Sequence, residues 1–150
     1  MREILFRGKR IDNGEWVYGD LIHGVGWKEG RLYILPLVKN LASLGGCDPL
    51  DGYNVIPDTI GQFTGLTDKN GTRIFEGDKV AHNIATQNNY NVANNKFFVI
   101  TFKGGAFCLT ALDYVGSDDS ITIRDAMVQG KQKGLTLELE VIGNIHDNQQ

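Results

Sequence analysis

The hydrophobic and polar positions of the chain form short runs separated by turn-forming residues. Runs with strand character cover residues 31–35, 55–63, 79–82, 96–102, 106–110 and 135–145. Helical spacing occurs at residues 37–44, while residues 124–133 fit either a weak helix or a loop. Many short strands joined by tight turns are typical of a small barrel or a sandwich. The pattern therefore predicts a mainly β protein with minor helix.

Three dipeptides between these runs have the residues of β-hairpin turns. They are Asn13-Gly14, Asn70-Gly71 and Gly104-Gly105. A two-residue turn of type I′ needs positive φ at both positions, which these residues tolerate. Around the second dipeptide, such a turn would place Asp68 opposite Arg73 as a cross-strand charge pair. The same register at the first dipeptide would oppose two acids, Asp12 and Glu15, so we expect a longer or bulged loop there.

Glycine is the outlier of the composition, with 19 of the 150 residues. Because glycine supplies positive φ in turns and weakens helices, this content also favours β structure. The hydrophobic share of 41% and the charged share of 22% are ordinary for a soluble globular protein. The net charge is −3 and shows no basic stripe of the kind that nucleic-acid grooves carry.

The two cysteines and the start of the chain bear on location. Cys47 and Cys108 lie far apart and neither belongs to a C-x-x-C pair, which favours reduced thiols in the cytoplasm. The start MREILFRGKR has no long apolar segment, and no apolar run approaches the ~18 residues of a membrane span. We expect a cytoplasmic protein that does not use a membrane.

The stretch 62–80 resembles a ligand-binding loop but lacks the residues that one needs. With Gly71 as the glycine of a calcium loop, the first and last ligand positions fall on Leu66 and Gly77, which cannot bind the ion. A phosphate loop would need a helix after Val80, and none is predicted. The three histidines share no ligand spacing. We expect no cofactor or metal, and a zinc site built from distant residues is the alternative.

Candidate catalytic residues are few. No common nucleophile motif is present. Glu76 and Asp78 flank Gly77 and could act as a general acid/base pair, but a turn leading into the next strand is the simpler interpretation.

One cluster could form a patch for nucleic acid or another partner. It consists of Arg7, Lys9 and Arg10 with the aromatic residues Trp16 and Tyr18. The alternative is that the charges are solvated beside a turn. Aromatic residues such as Trp16, Tyr18 and Trp27 could stack on bases, although packing in a core or an interface is the commoner use.

Three blocks resemble a known family. They are ILFRGKRIDNGEWVYGDLI at the start, VIPDTIGQFTGLTDKNGTRIFEGDKV in the centre and EVIGNIHDN near the end. Their order and spacing are similar to those of the YopX family of phage and prophage proteins. The matching central positions are Gln62, Thr64, Gly65, Leu66, Asp68, Gly71, Ile74, Glu76, Gly77, Asp78 and Val80. The matching closing positions are Glu140, Val141, Ile142, Gly143, Asn144 and Ile145.

The resemblance implies mostly architecture. A YopX-like chain would be one unit over residues 1–150, β-rich, with a C-terminal part similar to an SH3-like barrel. A division into an N-terminal subdomain at 1–54 and a β-barrel subdomain at 55–150 is an option within this unit. The resemblance carries over no activity, cofactor or catalytic residue.

The leading functional hypothesis is a phage- or prophage-derived, non-enzymatic binding or assembly module in the bacterial cytoplasm. Its partner would be protein, with self-association expected because strand edges and exposed aromatics pair readily. A nucleic-acid-binding accessory protein is the alternative, which the net charge of −3 does not favour. An enzyme with a site built from distant residues is a second alternative. The Asn-rich segment 83–95 is expected to be a loop, whose function the sequence leaves open.

Overall fold

The structure, a computed structural model, describes residues 1–36, 52–82, 97–111, 120–132, 134 and 136–147. The predicted helix at 37–44, the loop at 83–95 and Cys47 lie outside these residues. The chain divides into two compact units, Met1–Gly65 and Leu66–Gln150. The predicted subdomain boundary at residue 54 stays a prediction, because a division by compactness does not test which part folds separately.

The first unit is an antiparallel sheet. Its strands are β1 (Phe6–Lys9), β2 (Trp16–His23), β3 (Leu32–Pro36), β4 (Tyr53–Val55) and β5 (Gly61–Thr67), whose last residues belong to the second unit. Their order in the sheet is β4-β3-β2-β1-β5, and a short sixth strand, Arg73–Phe75, follows β5. Short 3-10 turns at Gly26–Lys28 and Pro57–Thr59 precede β3 and β5. Proline stands first in the second turn, where its missing N–H costs nothing.

The first sheet curls so that β4 meets the end of β1. Arg10 forms a bridge with Val55, and the Ile56 amide donates to the Lys9 carbonyl at 2.8 Å. Such curvature brings backbone close to backbone on the inner side of the sheet. A Cβ added at Gly19 would overlap a backbone carbonyl of β3. Glycine is therefore required there for packing and not for its φ.

The second unit contains a sheet, a hairpin and one helix. The strands are β6 (Arg73–Phe75), β7 (Asp78–His82), β8 (Phe98–Lys103), β9 (Ala106–Ala111), β10 (Ser120–Thr122) and β11 (Leu139–Asn144), and the helix is α1 (Ile123–Gln132). The sheet order is β10-β9-β8-β7-β11. Thr122 caps α1, because its Oγ1 accepts from the Asp125 amide at 3.0 Å. Residues 124–132 are therefore helical. Of the two interpretations of the sequence, the helix is confirmed for these residues and the loop is wrong.

The core of the second unit forms on one face of its sheet. The buried cluster consists of Ile74, Val80, Ile100, Leu109, Ile123 and Leu139. Partly buried side chains of β8, β9 and α1 pack against it, among them Phe98, Phe107 and Met127. Each fully buried aliphatic side chain contributes about 1.5–3 kcal/mol, so this cluster is a main source of the unit's stability.

The prediction of a mainly β protein is confirmed, whereas the described strands do not form the expected barrel. The described strands form two antiparallel sheets that are not closed into a barrel. In the second unit the sheet begins with β10 and ends with β11, and no pairing joins these two edges within the described residues. The C-terminal SH3-like barrel that the resemblance implied is therefore not shown.

The three predicted hairpins exist, but one has a different register. Gly104-Gly105 forms a two-residue turn with φ of 57° and 79°, as type I′ requires. The first hairpin has the expected longer loop, because β1 ends at Lys9 and β2 begins at Trp16. In the hairpin of β5 and β6, the Asp68 amide donates to the Thr72 carbonyl. Asp68 is therefore opposite Thr72, and its predicted cross-strand pairing with Arg73 was wrong.

Candidate binding surface

Four of the five predicted patch residues share one face of the first sheet. Arg7 stands opposite Tyr18, and Lys9 stands opposite Trp16, in the antiparallel pair β1–β2. Directly opposed residues of a sheet project their side chains to the same side. The register of β1 with β2 therefore brings these four residues together.

Trp16 lies between two cations. Its ring has the Arg7 guanidinium carbon 4.7 Å from the ring centroid and the Lys9 Nζ at 5.3 Å. Both distances are within the ~6 Å over which a cation is attracted to the face of an aromatic ring. Arg7 is only 6% exposed, so it packs against the indole and is not accessible to a binding partner. Lys9 and Trp16 are half-buried and form the accessible part of this group.

Arg10 is the predicted patch residue that lies elsewhere. It follows β1 and stacks over the ring of Tyr53, with its guanidinium carbon 4.1 Å from the centroid. Its Nε donates to the Asp12 carboxylate at 2.8 Å. This hydrogen bond to Asp12 raises the pKa of Arg10 and lowers that of Asp12. The charge of Arg10 is therefore largely compensated within the loop.

A second aromatic and basic group lies at the turn between β2 and β3. Trp27 is 80% exposed, and its ring has the Lys28 Nζ at 4.9 Å and the Arg31 guanidinium carbon at 5.6 Å. Lys28 also lies 5.7 Å from the centroid of Tyr33. From the sequence, Trp27 is predicted as a residue that could stack on bases, but it is not assigned to the patch. The signal was present in the segment GWKEGR, where a tryptophan stands beside two nearby cations.

The turn that carries Trp27 is held by backbone hydrogen bonds. The Gly24 amide donates to the Arg31 carbonyl at 2.9 Å, and the Arg31 amide donates to the Lys28 carbonyl at 3.0 Å. A Cβ at Gly24 would overlap the backbone of Lys28, so the turn closes tightly at its base. The exposed indole is thus carried by a closed turn.

The two groups belong to the same face of the first unit. Tyr33 stands opposite Ile22 in the β2–β3 pair. Ile22 lies four positions after Tyr18 in β2, and residues an even number of positions apart project to the same side of a strand. Lys28, which reaches Tyr33, is therefore on the side of Tyr18. We call this surface the basic–aromatic face. Its accessible members are Lys9, Trp16, Tyr18, Trp27, Lys28 and Arg31.

Cation–π pairs are concentrated in the first unit. The described residues include six of them, and every one joins residues within Met1–Gly65. Protein structures contain roughly one energetically significant pair per 70–80 residues, so the density here is unusual. Acids balance the cations over the unit as a whole, since residues 1–65 carry seven Lys and Arg and eight Asp and Glu. The cations of the face lie beside its aromatic rings, and the exposed Asp20 projects to the same side of β2.

The central motif of the sequence is a structural clamp in the second unit. Asp68 is 8% exposed. Its Oδ1 accepts from the amides of Asn70 and Thr72, both at 2.8 Å. Its Oδ2 accepts from the Val141 amide of β11 at 3.0 Å. Burial acts to raise the pKa of Asp68, but the hydrogen bonds from Val141, Thr72 and Asn70 hold it below the usual 3.8.

The same turn covers the outer edge of β11. The Lys69 amide donates to the Leu139 carbonyl at 2.9 Å, and the Lys69 Nζ pairs with the Glu140 carboxylate at 2.9 Å. This ion pair raises the pKa of Lys69. A bulge between Val141 and Gly143 further interrupts this strand. Covered and bulged edges resist pairing with other chains, so β11 is a poor site for self-association.

Asp78 makes a second clamp. It is 1% exposed, and its carboxylate accepts from the Phe75 amide at 2.8 Å and from the Asn144 Nδ2 at 3.3 Å. The amide oxygen of Asn144 then accepts from the His146 amide at 2.8 Å. The predicted turn before β7 is present, with Gly77 at φ 88°. A general acid/base pair formed with Glu76 has no support from this geometry, because Asp78 is buried.

In the part of the chain that the structure describes, no three His, Cys, Asp or Glu side chains come together as a metal site requires. His82 packs on Phe98 with a ring separation of 5.4 Å, and burial lowers its pKa. Within the described ranges, no helix has the length and apolar character needed to span a bilayer.

Comparison with known proteins adds the family. A family model described as YopX protein matches residues 5–150. The chain belongs to the YopX family. The match covers almost the whole chain, so the resemblance carried by the three sequence blocks is confirmed. A search of curated proteins finds no match.

The structure shows what the YopX signature residues do in this chain. The central and closing blocks meet, because Asp68 binds the backbone of β11 and Asp78 binds Asn144. These residues are engaged with one another and with main-chain amides. The basic–aromatic face, in contrast, lies outside the two blocks that meet here.

Proposed function

We propose that this YopX family chain is a phage- or prophage-derived, non-enzymatic binding module of the bacterial cytoplasm. Its contact surface is the basic–aromatic face of the first unit. The observation that carries the proposal is Trp27, an 80% exposed indole on a closed turn with two cations beside it. Tryptophan and arginine are enriched among the residues that dominate binding energy, and leaving such a side chain in water has a hydrophobic cost.

Affinity capture with matched variants tests this proposal. Wild-type protein is compared with the face variant, Tyr18→Ser with Trp27→Ser, and with Phe102→Ser, which removes a 51% exposed aromatic residue from the second unit. Each is immobilised and exposed to lysate of phage-infected cells, and the retained protein and nucleic acid are both identified.

A partner retained by the wild type and by Phe102→Ser, but lost with the face variant, supports the proposal. Equal retention by all three proteins contradicts it. Circular dichroism of the three proteins establishes beforehand that each is folded.

Self-association is a second proposal for the same surface. Its motivation is that Val25 and Trp27 are exposed apolar residues in one turn, whereas the edge of β11 is covered. Light scattering at micromolar concentration tests it. A mass above that of the monomer which falls for the face variant supports it, and a monomeric wild type removes it.

A further inference from the structure

We propose that the basic–aromatic face binds single-stranded nucleic acid. Bases stack on Tyr18 and Trp27, and phosphates pair with Lys9, Lys28 and Arg31. The inference rests on the proposed function, since it names the partner of the same surface. It revises the patch expected from the sequence, because Arg7 is buried and Arg10 is paired with Asp12.

The chemistry of the face suits this ligand. Proteins that bind single strands combine aromatic rings, on which bases stack, with cations that pair with the backbone phosphates. Here each accessible indole has cations within 6 Å of its ring, Lys9 at Trp16 and both Lys28 and Arg31 at Trp27. A cation in this position can turn to a phosphate while a base occupies the exposed ring.

The dimensions favour an extended ligand. A strand rises about 3.3 Å per residue, so the stretch of β2 from Trp16 to Ile22 is about 20 Å long and links the two aromatic groups. An extended single strand can reach rings spaced along this line and present one base to each. A duplex buries the faces of its bases in its own stack and leaves only phosphates to bind. The face should therefore prefer single strands.

The charge predicts the dependence on salt. Three accessible cations that each pair with one phosphate give a slope of log K against log salt of about −2 for a single strand. Asp20 projects from the face itself, because it lies two positions after Tyr18 in β2, and Glu29 is exposed in the turn beside Lys28. These acids and the lack of net positive charge on the unit mean that no stronger dependence is expected.

The experiment uses the full chain and fluorescein-labelled oligonucleotides. Anisotropy is measured with dT20, U20 and a duplex of mixed sequence between 20 and 200 mM salt, about the range over which phosphate contacts change affinity most visibly. The chain has two tryptophans, and both lie on the face, so unlabelled dT20 should also quench the intrinsic fluorescence. Comparison of dT20 with U20 shows whether DNA or RNA is preferred.

The variants separate stacking from charge. Trp27→Ser should weaken dT20 binding about tenfold, as expected for the loss of one stacked base. Arg31→Gln should reduce the salt slope by about 0.7. Phe102→Ser, which removes a 51% exposed aromatic side chain from the second unit, should leave affinity and slope unchanged.

The outcomes distinguish a failure of the nucleic-acid inference from a failure of the proposed function. Saturable binding of dT20 or U20 with these variant effects supports the inference. No binding at 20 mM salt, equal affinity for the duplex, or full affinity in Trp27→Ser overturns it. If one of these contradicting results is found but the face still retains a protein in the capture experiment, the proposed function stands and only the nucleic-acid partner fails.

Discussion

Two regions of this molecule are rich in charged residues beside glycine turns, and they differ in what their side chains contact. In the second unit, the carboxylates of Asp68 and Asp78 are buried and accept hydrogen bonds from backbone amides and from Asn144. In the first unit, Trp27 and Arg31 lie at the surface, where the cation stacks on the ring. The buried carboxylates of the second unit hold the chain together, whereas the exposed face of the first unit is the surface that we propose for binding.

The difference shows why a family signature need not mark a functional site. Buried polar groups must be hydrogen-bonded, and removal of one partner leaves the other unsatisfied. A residue under this constraint tolerates little change whatever the protein does. An exposed ring has no such structural constraint, so its presence in an ordered turn says more about binding.

The largest expected effect is on the Asp78 clamp. Asp78→Ala leaves the Phe75 amide and the Asn144 side chain without their acceptor in a buried place, which should lower the free energy of unfolding by about 3 kcal/mol. Urea unfolding followed by circular dichroism measures this. Asp58→Ala removes an exposed acid and is the matched control, expected within about 0.5 kcal/mol of the wild type. Similar free energies of unfolding for the two variants would contradict the structural role assigned to the buried Asp78.

The Asp68 clamp should give a somewhat smaller effect. Asp68→Asn keeps one acceptor oxygen but places an amide group against an amide donor, so we expect a loss of about 2 kcal/mol. Lys69→Gln at the same turn breaks an ion pair between solvent-exposed groups and should cause no measurable change. The clamp model fails if the lysine variant is the more destabilised of the two.

The pH dependence isolates the charge of Asp68. Because its folded-state pKa lies below the usual 3.8, the ionised group contributes stability above the unfolded pKa, and this contribution is lost as pH falls through the folded pKa. The stability difference between wild type and Asp68→Asn should therefore be constant from pH 7 to about pH 5 and narrow below about pH 4. Urea unfolding at each pH measures it, and a gap that widens with acid would contradict the assignment.

The smallest effect on stability should come from the face. Tyr18→Ser and Trp27→Ser each alter an exposed side chain, and such changes usually stay within about 0.5 kcal/mol. Thermal or urea unfolding checks both variants. If Trp27→Ser lowers the free energy of unfolding by more than about 1.5 kcal/mol, the indole supports the fold. The proposal that the face is a binding surface would then lose its main observation.

The sequence predicted the local structure well where backbone chemistry decides it. Gly104-Gly105 formed the expected turn because positive φ at both positions leaves few alternatives. At Asn70-Gly71 the place of the hairpin was right, but the loop length and the register were not. Gly71 adopts φ 81° while Asp68 pairs with Thr72, which gives a longer loop with the glycine as its extra residue.

The candidate site was only partly predictable. Lys9 and Trp16 are close to each other along a hairpin, so their meeting followed from the turn. Trp27 joins the face through the register of β2 with β3 and through the reach of Lys28, which sequence spacing does not reveal. The burial of Arg7 depends on how the sheet curls, and this too is a tertiary property.

The most direct test of the whole account is the affinity for dT20 of two variants measured in parallel, at a temperature where both are folded. Asp68→Asn should bind dT20 as the wild type does, because the clamp supports the fold and takes no part in binding. The double variant Tyr18→Ser, Trp27→Ser should bind about 100-fold more weakly, as expected for two lost stacking contacts. Loss of affinity in Asp68→Asn together with full affinity in the double variant would contradict the division between a structural signature and a binding face.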